Sequence, residues 1–104
     1  MNYDVLALNH GDGNPRNSEG AFAETSDGRL IFVYSRYAGG SWHDHAAADL
    51  ALRESCDGGR SWSASDRIIL DHRQADAANL MSVSLLTLPS GRMLLFCCRK
   101  FAQG

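Results

Sequence analysis

The chain has 104 residues, of which 44% are hydrophobic and 21% charged, and its formal net charge is −2. These values are ordinary for a single globular domain and give no bulk electrostatic attraction to nucleic acid or to an anionic membrane. No segment approaches the roughly 20 apolar residues of a membrane-spanning helix, so neither nucleic acid nor a membrane is an expected partner.

Apolar runs alternate with turn residues along the chain, and this pattern predicts short strands and hairpins. The only weak helical pattern is Gln74 to Met81, so the predicted fold class is all-β. The first predicted strand is an edge or closing strand. The predicted strands are, in chain order, 3–8, 20–26, 29–37, 47–54, 65–70, 82–88 and 92–99.

The two predicted hairpins are related by an internal repeat that aligns segment 22–37 with segment 85–100. Each copy has a Gly-Arg pair after its turn and a second arginine near its end. The second strand of each copy is apolar on both faces, which predicts burial between packed layers. The recurrence of Arg36 and Arg99 favours a structural role for both over substrate binding.

Residues 55–62 read Ser-Cys-Asp-Gly-Gly-Arg-Ser-Trp, which is the pattern S-x-D-x-G-x-x-W. Ser55 and Asp57 have short polar side chains that bond nearby backbone N–H groups. Gly59 permits the positive φ of a tight hairpin, and Trp62 is expected to fold its indole against the turn. The alternative is a generic Asp-Gly-Gly hairpin that lies near a tryptophan.

The chain has three cysteines and no disulfide framework is predicted from their spacing. Cys97 and Cys98 are neighbours in a predicted strand and would point to opposite faces. Both are expected to be small buried hydrophobic residues. A reducing compartment is favoured. No signal peptide is visible, so the location stays open, with the cytoplasm preferred.

These motifs resemble the N-terminal part of bacterial exo-α-sialidases (neuraminidases) and of sialidase-like Asp-box (BNR) repeat proteins. The resemblance implies a six-bladed β-propeller with four-stranded antiparallel blades. Residues 20–70 would then form the first blade with its Asp box at 55–62, and 82–99 the first hairpin of a second. The chain, one partial domain spanning 1–104, is expected to be an N-terminal fragment of about one and a half blades. Its exposed blade would be covered by the remainder of the propeller or by self-association. The segments that resemble the family are 14–22, 27–30, 55–62, 79–85 and 91–92.

The resemblance also implies release of terminal sialic acid, or of a related acidic sugar, from glycoconjugates. Such enzymes use three arginines for the substrate carboxylate, a Tyr–Glu pair as nucleophile and an Asp as general acid/base. Arg16 is the candidate clamp arginine, because a guanidinium matches a carboxylate with two hydrogen bonds; the alternative is a solvated loop arginine. Asp44 is the candidate acid/base and Asp49 the second choice, while a turn role is the alternative for Asp44. The candidate substrate-binding neighbours are Trp42, His43 and His45.

No cofactor or metal is expected, because His43-Asp44-His45 lacks identifiable further ligands for zinc. The sequence has no match for the tyrosine nucleophile, its glutamate partner or the other two arginines. The isolated chain is therefore expected to be inactive. Two alternatives stay open, namely a propeller that binds carbohydrate without cleaving it and a purely structural Asp-box propeller.

Overall fold

Residues 6–44 and 46–101 are described by this computed structural model, and they contain six β-strands and no helix. The predicted all-β class is therefore confirmed for these residues. No helix among them is long and apolar enough to cross a membrane. The strands are β1 (Asn17–Glu24), β2 (Leu30–Tyr37), β3 (Ala48–Ser55), β4 (Arg67–Leu70), β5 (Asn79–Thr87) and β6 (Met93–Lys100).

Each strand predicted from residue 20 onward is present, with ends that differ by at most three residues. The weak helical pattern at Gln74 to Met81 is wrong, because residues 72–76 form turns and β5 begins at Asn79. Of the predicted strand 3–8, residues 6–8 are not in a strand. Its first three residues lie outside the described residues.

The strands form one open mixed sheet in the order β1-β2-β3-β5-β6, with β4 paired to β3 off this path. Strands β1 to β4 pair in chain order, each antiparallel to the next. Strands β5 and β6 form a separate antiparallel hairpin. A single parallel bridge, between Ala48 and Asn79, links the two parts. The β5–β6 hairpin is therefore held mainly by side-chain packing and not by strand pairing.

The core lies between the β1–β2 hairpin and the β5–β6 hairpin. At its centre Val33, Leu50 and Leu80 are at most 1% exposed. The Ser35 hydroxyl donates a hydrogen bond to the Leu80 carbonyl oxygen at 2.8 Å. The two copies of the repeat thus pack face against face. Residues that flank this core from both hairpins include Ala23, Val83, Leu85, Met93 and Cys97.

Burial on both faces is confirmed for β2, where the neighbours Val33 and Tyr34 are each 1% exposed. It is wrong for β6, the equivalent strand of the second copy, because Phe96 is 55% exposed. The expectation for cysteine is wrong in the same way: Cys97 packs against the core, but Cys98 is exposed. Among the described residues nothing packs over the side of β6 that bears Phe96 and Cys98.

The connection between β3 and β4 has the hydrogen bonds that its residues predict. The Ser55 hydroxyl accepts from the Gly59 N–H at 2.9 Å, and Asp57 Oδ1 accepts from the Ser61 N–H at 2.9 Å. Trp62 Nε1 donates to the Gly59 carbonyl oxygen at 3.0 Å. Gly59 has φ of 90°, a conformation that favours glycine. Segment 55–62 is therefore a turn closed by its own side chains.

Asp57→Asn is expected to lower stability in a way that depends on pH. Hydrogen bonds from the Ser61 hydroxyl, the Ser61 N–H and the Ser55 hydroxyl lower the pKa of Asp57 to about 2. Because an unfolded Asp titrates near a pKa of about 4, the charged form stabilises the fold above about pH 4. That contribution is lost as the pH falls towards about 2.

The urea midpoint of unfolding checks this expectation across the acidic range. The midpoint of Asp57→Asn should lie below that of the unmodified chain near pH ~7, and the difference should close on acidification. A difference that stays constant down to about pH 2.5 would contradict the assigned role of the Asp57 charge.

Candidate functional site

Three of the predicted site residues, Arg16, Trp42 and Asp44, meet at one end of the sheet. Arg16 directly precedes β1, and Tyr37 ends β2 beside it. The Arg16 guanidinium lies over the Tyr37 ring, 4.8 Å from its centroid. Its Nη1 donates to Asp44 Oδ1 at 2.7 Å and to the Trp42 carbonyl oxygen at 3.1 Å. The structure therefore brings the candidate clamp arginine and the candidate acid/base into direct contact.

Asn14 holds the backbone around Arg16 against the end of β2. The Asn14 side-chain amide donates to the Tyr37 carbonyl oxygen at 2.8 Å and to that of Arg16 at 3.2 Å. The Tyr37 N–H in turn donates to the Arg16 carbonyl oxygen at 2.9 Å. Because Asn14 is only 8% exposed, these bonds are shielded from water. They determine where the Arg16 side chain begins.

The ion pair between Arg16 and Asp44 is open to solvent. The two side chains are 34% and 70% exposed, and exposed pairs contribute at most about 1 kcal/mol. The hydrogen bond to Asp44 raises the pKa of Arg16, which is charged at any working pH. A carboxylate ligand would therefore compete with Asp44 for a permanently charged guanidinium, and at small cost.

Two aromatic rings stand beside this ion pair. Trp42 is 64% exposed, and its ring stacks on that of His43 with centroids 6.0 Å apart. Exposed aromatic faces can pack against the apolar face of a sugar. The third predicted neighbour, His45, lies outside the described residues.

Asp49, the second choice for the acid/base, has a different setting. Asp49 follows Ala48, which is the cross-strand partner of Tyr37. Its side chain therefore points to the face of the sheet opposite to that of Tyr37. Asp49 is 7% exposed, and its Oδ1 accepts from the His72 N–H at 2.8 Å. The same oxygen lies 2.6 Å from His72 Nδ1; because a carboxylate only accepts, Nδ1 carries the proton. These bonds tie the segment after β4 to β3.

Asp49, Asp71 and His72 also have potential ligand atoms within 4.8 Å of one another. Asp49 and His72 are hydrogen-bonded to each other. The third, Asp71, accepts from Arg73 Nη2 at 3.1 Å, and hydrogen bonds from Arg73 lower the pKa of Asp71 to about 2. The cluster is thus explained by internal hydrogen bonds.

One hydrogen bond among the described residues joins a tyrosine to a carboxylate, from the Tyr34 hydroxyl to Asp66. Tyr34 is 1% exposed. Its burial, and to a smaller extent its hydrogen bond to Asp66, raises its pKa. A nucleophilic tyrosine needs the reverse shift, so this pair is structural. Arg36 and Arg53 donate to Asp66 at 2.9 Å and 2.7 Å.

Both repeated arginines are bound to other parts of the chain. Arg36 pairs with Asp66, which is 19% exposed in its side chain. Arg99 donates to the Ala75 carbonyl oxygen at 3.0 Å and lies over the Phe101 ring at 4.7 Å. Neither faces the Arg16 end of the sheet as a free cation.

Two residues missed in the sequence border the site. Lys100 Nζ lies 3.5 Å from the Asp44 carbonyl oxygen. The Asn79 side-chain amide donates to the Ala46 carbonyl oxygen at 2.6 Å. In the internal repeat, Asn79 is the equivalent of Arg16 and Lys100 is the equivalent of Tyr37. The repeat is the signal that could have found them, because stacked copies bring equivalent strand ends together.

A cavity of about 400 Å³ lies at the other end of the sheet, beside the hairpin turns. Its lining includes Arg29, which is bound to Glu54 at 2.6 Å and to Asp27 at 3.2 Å. None of the predicted site residues lines it. The cavity is therefore separate from the Arg16 end.

Comparison with models of known protein families finds no match, and comparison with curated proteins finds none either. The resemblance to sialidases thus depends on the motifs in this sequence.

Proposed function

We propose that this chain is part of a sialidase-like β-propeller whose complete domain releases terminal sialic acid, or a related acidic sugar, from glycoconjugates. The observation that supports this most directly is the contact of Arg16 with Asp44 beside the exposed Trp42. It joins a carboxylate-binding group, a proton-transfer group and a stacking surface at one edge. Cleavage of an acidic sugar requires these three functions together with a nucleophile.

The packing of the two hairpins supports the propeller. Thr87 Oγ1 donates to the Glu24 carbonyl oxygen at 3.2 Å, and these two residues are equivalent in the repeat. Repeat-equivalent positions are therefore neighbours, as they are between successive blades stacked around an axis. Strands β1 to β4 pair consecutively and antiparallel, which is the pairing expected of the four strands of one blade.

In this proposal the substrate carboxylate displaces Asp44 from Arg16. The guanidinium then holds the carboxylate with two parallel hydrogen bonds. Asp44, separated from its cation, lies beside the bound sugar and exchanges a proton with the leaving group. The nucleophile and the other arginines are supplied by parts of the domain beyond those described here.

A binding function without cleavage is the second candidate. It agrees with the burial of Tyr34, because the one tyrosine–carboxylate contact among the described residues is unsuited to attack a sugar. A binding protein would keep the Arg16 end and have no need of a nucleophile.

The test is binding of N-acetylneuraminic acid, followed by ligand-observed NMR at low salt. The unmodified chain should bind the free acid weakly, in the millimolar range, and its methyl ester less. Arg16→Gln should abolish binding, because the amide lacks the charge and the fork of the guanidinium. Asp44→Asn should tighten binding by about two- to five-fold, because it removes a competing anion worth up to about 1 kcal/mol.

Arg92→Gln is the matched control, since Arg92 is exposed at the β5–β6 turn, far from Arg16. It should bind as the unmodified chain does. Equal binding of the acid and its ester, or unchanged binding by Arg16→Gln, would reject the proposal. Turnover of a fluorogenic sialoside by the complete domain, lost on Asp44→Asn, would separate the hydrolase from the binding protein.

A further inference from the structure

The outer face of the β5–β6 hairpin is apolar and exposed. Leu86 and Phe96 are 50% and 55% exposed, and Leu86 pairs with Leu94 across the hairpin. Because Leu85 and Cys97 pack inward against the core, their neighbours in sequence point away from it. We call the surface formed by Leu86, Leu94, Phe96 and Cys98 the outer face.

The internal repeat indicates what fits this surface. In the first copy, the equivalents of Leu86, Leu94 and Phe96 are respectively Ala23, Ile31 and Val33. These three residues of the first hairpin form part of the core that the β5–β6 hairpin covers. The outer face therefore corresponds, in the repeat, to the surface of the first hairpin that the β5–β6 hairpin covers.

The covering surface also has its equivalent in this chain. The covering residues of β5 include Leu85, and its cross-strand partner Leu95 lies on the same face of the hairpin. Their equivalents in the first copy are Phe22 and Phe32. These two rings lie 4.5 Å apart on the back of the β1–β2 hairpin.

Phe22 is 66% exposed and also contacts the edge of Trp62. We call the surface formed by Phe22 and Phe32, with Trp62 at its border, the back face. The described structure thus exposes one surface of each kind, the outer face at one side and the back face at the other.

We propose that copies of this chain associate head to tail, the outer face of one copy packing on the back face of the next. The contact repeats between copies the packing that joins the two hairpins within each copy. Such a contact joins two different surfaces, so it can continue from copy to copy, unlike a two-fold contact. It removes exposed Phe and Leu side chains from water, and a net charge of −2 opposes it only weakly.

This inference does not depend on the proposed activity, and it concerns association of the 104-residue chain. Within a complete propeller the adjoining blades would cover the same two surfaces. The inference depends on the repeat and on the exposure of two surfaces at opposite sides of the stacked hairpins. A second copy is the chosen occupant because the hairpin seen to fit the equivalent surface belongs to this chain.

The test uses two variants, Phe22→Ser and Phe96→Ser, and measures mass by sedimentation equilibrium under reducing conditions. The unmodified chain should form species larger than a dimer as concentration rises. Each variant alone should associate roughly 30-fold more weakly, because every contact then includes one altered surface. An equimolar mixture should form a 1:1 dimer that grows no further, through the one intact surface of each partner.

Trp42→Ser is the matched control, because Trp42 is 64% exposed in the loop between β2 and β3, outside both faces. It should associate like the unmodified chain. Leu86→Ser provides a second alteration of the outer face and should behave like Phe96→Ser. Circular dichroism of each variant establishes that it is folded before its mass is compared.

Three results would overturn the proposal. The unmodified chain could stay monomeric at the highest concentration reached. Phe96→Ser could be monomeric while Phe22→Ser still dimerises, which would indicate a two-fold contact through the outer face. The mixture of variants could remain monomeric although each variant is folded.

Discussion

Asp66→Ala is expected to destabilise the fold by roughly 3 kcal/mol. Asp66 accepts from Arg36 at 2.9 Å and from Arg53 at 2.7 Å, and it also binds the Tyr34 hydroxyl. Although burial alone raises the pKa of Asp66, these hydrogen bonds and charges lower it overall. Alanine leaves two largely buried cations without their anion.

Urea unfolding followed by circular dichroism measures this effect. Glu24→Ala is the matched control, because it removes an exposed carboxylate from β1 and should change stability by less than about 0.5 kcal/mol. If Asp66→Ala and Glu24→Ala were equally stable, the cluster would contribute nothing net to the fold. Because the folded-state pKa of Asp66 is lowered, its contribution should also fade on acidification below the pKa of an unfolded Asp, about 4.

Leu50→Ala is expected to cost about 3 kcal/mol, within the range observed for buried leucines. Leu50 is fully buried, at 0% exposed, and packs with Val33 and Leu80 between the two hairpins. The truncation loses apolar contact and leaves a cavity that the stacked strands can close only in part. For a domain of marginal stability this is a large fraction of the total.

Ile68→Ala tests the same chemistry at a site 43% exposed on β4, where a cost of less than about 1 kcal/mol is expected. Thermal and urea unfolding should both show a larger loss of stability for Leu50→Ala than for Ile68→Ala. A cost for Leu50→Ala no greater than that for Ile68→Ala would mean that the hairpins do not pack as described.

The strand positions could be predicted because they depend on neighbours in sequence. Turn residues at Gly28 and Gly91 end one apolar run and start the next, and both glycines have positive φ, of 86° and 88°. The bonds of Ser55 and Asp57 likewise join groups at most four residues apart. Local chemistry of this kind is written in the sequence itself.

The cluster around Asp66 could not be predicted from the same information. Its partners stand 13, 30 and 32 residues away, and nothing in the pattern distinguishes Asp66 from a solvated turn residue. The candidate site was found in part: the sequence singled out Arg16 and Asp44 through a family resemblance. Lys100 was missed, because its position depends on how the second hairpin stacks.

By itself, the sequence determined the six strands, the turn at 55–62 and the internal repeat of the two hairpins. Each follows from alternation, turn chemistry or identity between short segments. Only the tertiary structure decided which surface of each hairpin is covered, so that Val33 is buried whereas its equivalent Phe96 is exposed. The physical reason is that apolar residues on both faces of a strand show only that both faces can be buried. Burial itself requires other residues to pack on each face. In the described structure, stacking of the hairpins provides such packing on both faces for the first copy of the repeat only.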